Sequence, residues 1–107
     1  MKKNPLLFTM GASLILLGCV QSTNLREIAK EKFTVCSDKK AAIASAVAAW
    51  LPVFGEKVIV REMPFVAQLN GEVWTVDGTL NAAEVGGVAH ALVRQKDCTV
   101  IDMYHDK

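Results

Sequence analysis

Only one stretch of this chain carries the periodicity of a long helix, the alanine-rich run from Asp38 to Gly55, and the residues after it are almost entirely strand-like. Ser37 or Asp38 can cap the start by accepting from free backbone N–H groups. Ile43, Val47, Trp50, Leu51 and Phe54 then recur at helical spacing as one apolar stripe. The intervening alanines are strong helix formers and let the backbone approach a sheet closely. Pro52 lacks an N–H and crowds the carbonyl of Ala48, which predicts a kink or an early end, and Gly55 is a natural stop.

Beyond Gly55 the reading is β. Lys57–Met63 is rich in β-branched residues, with Pro64 breaking it as an edge or bulge residue would, and Phe65–Leu69 continues. Asn70-Gly71 is a hairpin signal, Glu72–Asp77 returns, and Gly78–Val85 is a connection. Gly87–Gln95 and Thr99–His105 form a last hairpin around Lys96-Asp97-Cys98. One helix and then four strands joined by short turns implies an α+β fold: a long N-terminal helix packed on a four-stranded antiparallel sheet.

The register of the last hairpin assigns the faces. With a three-residue loop, Gln95 pairs with Thr99, and Ala89, Ala91, Val93, Ile101 and Met103 fall on the helix side. His90, Leu92, Arg94, Val100, Asp102 and Tyr104 fall on the other side. Cys98 then occupies the left-handed position of the loop, which costs a non-glycine residue about 1 kcal/mol.

The N-terminus points to export. Lys2 and Lys3 precede an apolar run from Leu6 to Leu17, then Gly18-Cys19. That run is shorter than the ~20 residues a membrane-spanning helix needs. Leu16-Leu17-Gly18-Cys19 resembles the lipobox of bacterial lipoproteins, which implies a signal peptide over 1–18 and lipid on Cys19. By the same resemblance, Val20 after the lipidated Cys implies the periplasmic face of the outer membrane. Residues 19–35 read as a tether, or as a short helix over Leu25–Lys32 capped by Asn24 and Glu27, and 36–107 as the folded domain. Removing Lys2 and Lys3 from the 12 basic residues leaves ten against 11 acidic ones, so the mature charge is near −1. No basic patch calls for a nucleic-acid partner.

Cys36 and Cys98 remain in the mature chain, either as a disulfide suited to an oxidising compartment or as two unrelated thiols. A bond to Cys36 is one reason to tolerate a cysteine at the left-handed position. Catalytic patterns are scarce. His90 and His105 lie on opposite faces outside any metal-ligand motif, the cysteines lack C-x-x-C spacing, and Gly86-Gly87 is not followed by the helix and Lys of a phosphate loop. Gly86-Gly87 reads as a bend admitting close backbone approach. No cofactor is called for, and no enzymatic activity.

Several segments together resemble a known family. They are Val73-Trp74-Thr75-Val76-Asp77-Gly78-Thr79-Leu80, Gly86-Gly87-Val88-Ala89 and the terminal Tyr104-His105-Asp106-Lys107, with Trp50–Glu56 and Arg61–Phe65 fitting the same pattern. The chain resembles the immunity proteins of the nuclear transport factor 2-like (cystatin-like) fold, small bacterial proteins found beside toxins, over about Ala41 to Lys107. It departs from them in carrying Cys98 where a Gly is usual and Asn81 where a Pro often stands, and it is short, so the sheet is expected to be trimmed.

The resemblance implies a non-enzymatic protein that binds and neutralises a cognate toxin, here one acting in the periplasm. The candidate partner-binding residues are His90, Leu92, Arg94, Asp102 and Tyr104. The alternative is an outer-membrane lipoprotein that binds a small ligand or serves envelope maintenance. A deep apolar cavity lined by Trp50, Phe54, Trp74 and Met103 would favour ligand binding, and a tightly filled core would not.

Overall fold

The computed structural model describes residues 25–81 and 86–107. Cys19, the lipobox and residues 82–85 of the 78–85 connection therefore lie outside the described residues. The elements run α1 (Leu25–Lys30), α2 (Lys39–Phe54), α3 (Glu56–Val60), β1 (Val66–Asn70), β2 (Val73–Asp77), β3 (Ala89–Arg94) and β4 (Val100–His105). The four strands form one antiparallel sheet in the order β1-β2-β3-β4, with the helices on one side. Among the described residues no helix is long and apolar enough to cross a membrane.

α2 begins where the capping chemistry requires. Asp38 is extended, and its carboxylate accepts from the Ala41 N–H at 3.0 Å. The helix passes through Pro52 and ends at Phe54, where the Gly55 N–H closes it on the Leu51 carbonyl at 3.0 Å. Pro52 thus ends the helix only two residues on. Val47 and Trp50 are fully buried, while Ile43, Leu51 and Phe54 sit at the margin of the core. The deepest positions include Ala41, Ala42, Ala44 and Ala46, because both α1 and the sheet pack against α2. Small side chains are what allow a helix to be approached closely by both. Of the stretch read as a lead-in or tether, Leu25–Lys30 is helical, and Leu25 reaches the core.

The strand expected over Lys57–Met63 is not there; Glu56–Val60 is a helical turn. Gly55, with φ 92°, reverses the chain directly into it. Ile59 is wholly buried and Glu62 nearly so, three residues apart. A helical turn puts both on one face, whereas a strand would send them to opposite sides. Tertiary packing here overrides the β propensity of Val58-Ile59-Val60. The sheet proper begins at Val66, after a cis Met63–Pro64 peptide.

The first hairpin loop is displaced by one residue from its expected position, and the last is one residue longer than expected. Asn70 pairs with Val73, so the first loop is Gly71-Glu72, with Gly71 at φ 65°. Gly first and an ordinary residue second is the type II′ pattern. In the last hairpin, Arg94 N–H donates to the Thr99 carbonyl and Cys98 N–H to the Arg94 carbonyl, both at 2.8 Å, making the loop Gln95–Cys98. Gln95 is engaged elsewhere: its N–H donates to Glu72 at 2.9 Å, and its carbonyl accepts from Cys36 at 2.8 Å. A longer loop alone would turn β4 inside out. A β-bulge at Ile101 corrects this, with Leu92 opposite Asp102 but Val93 opposite Val100. Val100 therefore packs against the core and Ile101 is exposed, the reverse of the expectation, and the other assigned faces stand.

Candidate functional site

The register lines up the side chains of the helix-free face. Val66, Asp77, His90 and Tyr104 form one row across four strands; Gln68, Thr75, Leu92 and Asp102 form the next. All five residues singled out in the sequence, His90, Leu92, Arg94, Asp102 and Tyr104, share this face. Val66, Leu92, Ile101 and Tyr104 are exposed on it or at its rim, Tyr104 at 54%.

His90 organises the first row. Its ring stacks on Tyr104, with centroids 4.7 Å apart and planes 24° from parallel. Nδ1 lies 2.6 Å from an Asp77 carboxylate oxygen, and Nε2 lies 3.0 Å from one of Asp106. A carboxylate only accepts, so two such partners call for a proton on each nitrogen. Desolvation pulls the His90 pKa down, but the hydrogen bonds and charges of Asp106 and Asp77 outweigh it and leave the pKa raised. Asp106 is held below the ordinary carboxylate range, first by His90 and then by the Val88 N–H, which donates to it at 2.6 Å. Arg94 does not join this row; it turns to Asp97 at 3.0 Å. The Thr99 N–H at 3.1 Å is the chief reason the Asp97 pKa is lowered.

A second cluster, on the helix side of the same sheet end, was not visible in the sequence. Glu62 is 7% exposed. One of its oxygens accepts from the Ala89 N–H at 2.8 Å, and the other meets His105 Nε2 at 2.7 Å. His105 Nδ1 donates to the Asp106 carbonyl at 2.8 Å, and its ring sits edge-on to Phe54 at 5.4 Å. Asp106 thus joins the clusters, giving its backbone to His105 and its side chain to His90. The glycines fit closely around them. A Cβ on Gly78 would lie 2.6 Å from a Glu62 oxygen, and one on Gly87 would overlap Asp106. The close approach expected at Gly86-Gly87 is therefore made at Gly87, by the carboxylate and the backbone of Asp106. Glu62 and His105 are 43 residues apart, and only the i, i+3 partner of a buried Ile hinted at Glu62.

A cleft of about 310 Å³ opens beside this cluster, lined in part by Arg61, Glu62, Gly87, His105 and Lys107. Trp50, Phe54, Trp74 and Met103, the residues named for a small-ligand cavity, line neither this cleft nor two others on the described surface. Trp50 is fully buried with its indole N–H on the His90 carbonyl at 3.1 Å, and Trp74 donates to the Cys36 carbonyl at 2.7 Å. At the other end of the sheet Cys36 and Cys98 are joined by a disulfide, with Cys98 at φ 60°. Among the described residues no group of three or more His, Cys, Asp or Glu side chains could hold a metal ion.

A helix-covered four-stranded sheet with one open face, whose charged side chains brace one another, defines a small α+β binding domain of the nuclear transport factor 2-like kind. More narrowly, the chain belongs to the NTF2 fold immunity protein family, whose model matches residues 41–107. No curated protein and no solved structure matches it. The segments that carry the family resemblance acquire a physical meaning here: Gly78, Gly87 and His105, far apart in sequence, meet around Glu62 and Asp106.

Proposed function

We propose that this chain is a non-enzymatic immunity protein that binds and neutralises a cognate toxin acting in the periplasm, held at the outer membrane by lipid on Cys19. Membership of the immunity family carries the reading, since that family implies a toxin-neutralising role. The open sheet face supports inhibition by occlusion, which needs a firm surface with a few aromatic or charged anchors. His90 and Tyr104 form a stacked pair there, fixed by two carboxylates. The histidines suit bracing better than proton transfer. Both ring nitrogens of His90 and of His105 are already hydrogen-bonded within the protein, leaving none to meet a substrate.

The anchor rests on the basic start, the apolar run and the Gly18-Cys19 junction. A lipoprotein's several acyl chains hold a small domain stably on a membrane, at ~0.8 kcal/mol per buried CH₂. The deciding experiment expresses candidate toxins, the product of any effector gene beside this one first, directed to the periplasm, with and without the chain. Survival only with the chain supports the reading, as does purified complex. Equal killing in both strains, with no complex, would refute it. Labelled palmitate incorporated by wild type but not by Cys19→Ser checks the anchor separately.

A further inference from the structure

Resting on the immunity reading, we infer that the Asp102–Tyr104 edge of the open face is a binding subsite for one arginine side chain on the surface of the toxin. Tyr104 lies on β4, the last strand of the sheet, with one ring face stacked on His90 and the other toward the unpaired edge. Asp102 precedes it by two residues on the same face, roughly 7 Å away along the strand. Asp102 is exposed, and its side chain has no hydrogen bond or ion pair among the described residues. Asp77, His90 and Asp106 sum to −1 when His90 is protonated, and Asp102 adds another negative charge. Arg94, the other cation of this face, is paired with Asp97 and leaves Asp102 unneutralised.

The combination selects a guanidinium. A planar cation can lie on the free face of Tyr104, drawn by the ring quadrupole, while its N–H fork meets the Asp102 carboxylate in two parallel bonds. An ammonium is compact and strongly hydrated, and it satisfies only one of these contacts well. His90 beneath the ring does not repel the incoming charge, because two carboxylates already offset its own. Exposed Leu92 and Ile101 beside the pair supply apolar contact for the arginine stem.

The test measures binding of the full chain to the effector that it protects against, for wild type, Asp102→Asn, Tyr104→Leu and Tyr104→Phe, with Lys96→Gln at the distant loop tip as control. Asp102→Asn and Tyr104→Leu are each expected to weaken binding about tenfold, through the lost ion pair and the lost ring face respectively. Tyr104→Phe keeps the ring and should stay within about twofold of wild type, as should Lys96→Gln. Thermal melts confirm that the exposed substitutions leave the fold intact. Wild-type affinity in both Asp102→Asn and Tyr104→Leu, in a chain that does bind the effector, overturns the subsite and leaves the immunity reading standing. A wild-type chain that does not bind the effector overturns both.

Discussion

The two ends of the sheet are closed by opposite kinds of chemistry. At the hairpin end, the Cys36–Cys98 disulfide, the Trp74 indole bond and the Cys36–Gln95 backbone bond pin the start of α2 to the β3–β4 loop. At the far end no covalent bond is present among the described residues, and Glu62, His105, Asp106 and His90 hold α3, the Gly86-Gly87 bend and the C-terminus together. The first end depends chiefly on redox state, with one exposed ion pair, Arg94–Asp97, in its loop. The second depends on protonation, and it is where the family's segments converge. A domain this small has little core to spare, so one end secures the fold while the other sets the geometry of the open face.

Breaking the covalent end should have the largest effect. The bridge spans 62 residues in sequence, and closing a loop of that size restricts the unfolded chain by about 4 kcal/mol. Reduction, or Cys36→Ser with Cys98→Ser, should leave the domain largely unfolded, seen as a lowering of Tm by roughly 20 °C for a domain of this length. Reduced and oxidised protein melting together would show that the hairpin end is held by packing alone.

Next comes the centre of the polar end. Glu62→Ala strips the buried Ala89 N–H and the His105 ring of their partner, for an expected loss of about 3 kcal/mol in chemical denaturation. Glu62→Gln should cost less, because its amide can still accept from Ala89 and donate to a His105 protonated only at Nδ1. Equal losses would mean that the charge itself matters more than the hydrogen bonds. Gly87→Ala is smaller again, about 2 kcal/mol, since the added methyl meets the backbone of Asp106 as well as its side chain and the C-terminus must shift to admit it. It should nevertheless weaken toxin binding by loosening His90.

The pH dependence is the subtlest difference. The folded pKa of His90 is raised, so its contribution to stability is full below the unfolded value of about 6.5 and is lost as pH rises through the folded value. Asp106 is lowered, so its contribution is present above the ordinary carboxylate value and is lost as pH falls through the depressed one. The His90–Asp106 contact is therefore strongest in mildly acidic solution. His90→Gln should flatten the decline in Tm on the alkaline side of that window, measured with the disulfide intact. An unchanged slope would detach His90 from the pH response.

How much of this was legible in the sequence depends on the range of each determinant. Asp38 and Gly55 bracket α2 with local signals, and alternation carried β2 and most of β3–β4. Lys57–Met63 misled because the β preference of three adjacent branched residues is local, while the burial of Ile59 and Glu62 is settled by the elements that pack on them. The Ile101 bulge could not be seen because the loop length that demands it is fixed by Gln95 bonding to Glu72 and Cys36, 23 and 59 positions away. The five open-face residues were readable from period-two alternation. Glu62, Gly78, Gly87 and Asp106 were not, since neither a carboxylate nor a glycine announces that a partner will arrive from a distant strand.

The most direct check is a hydroxyl-radical footprint of the chain alone and in complex with the effector that it protects against. Loss of labelling at Tyr104 and Leu92, with the exposed α2 residue Val53 labelled as before, is the predicted result. Protection confined to the helical side, with Tyr104 and Leu92 as reactive as in the free chain, would contradict the account.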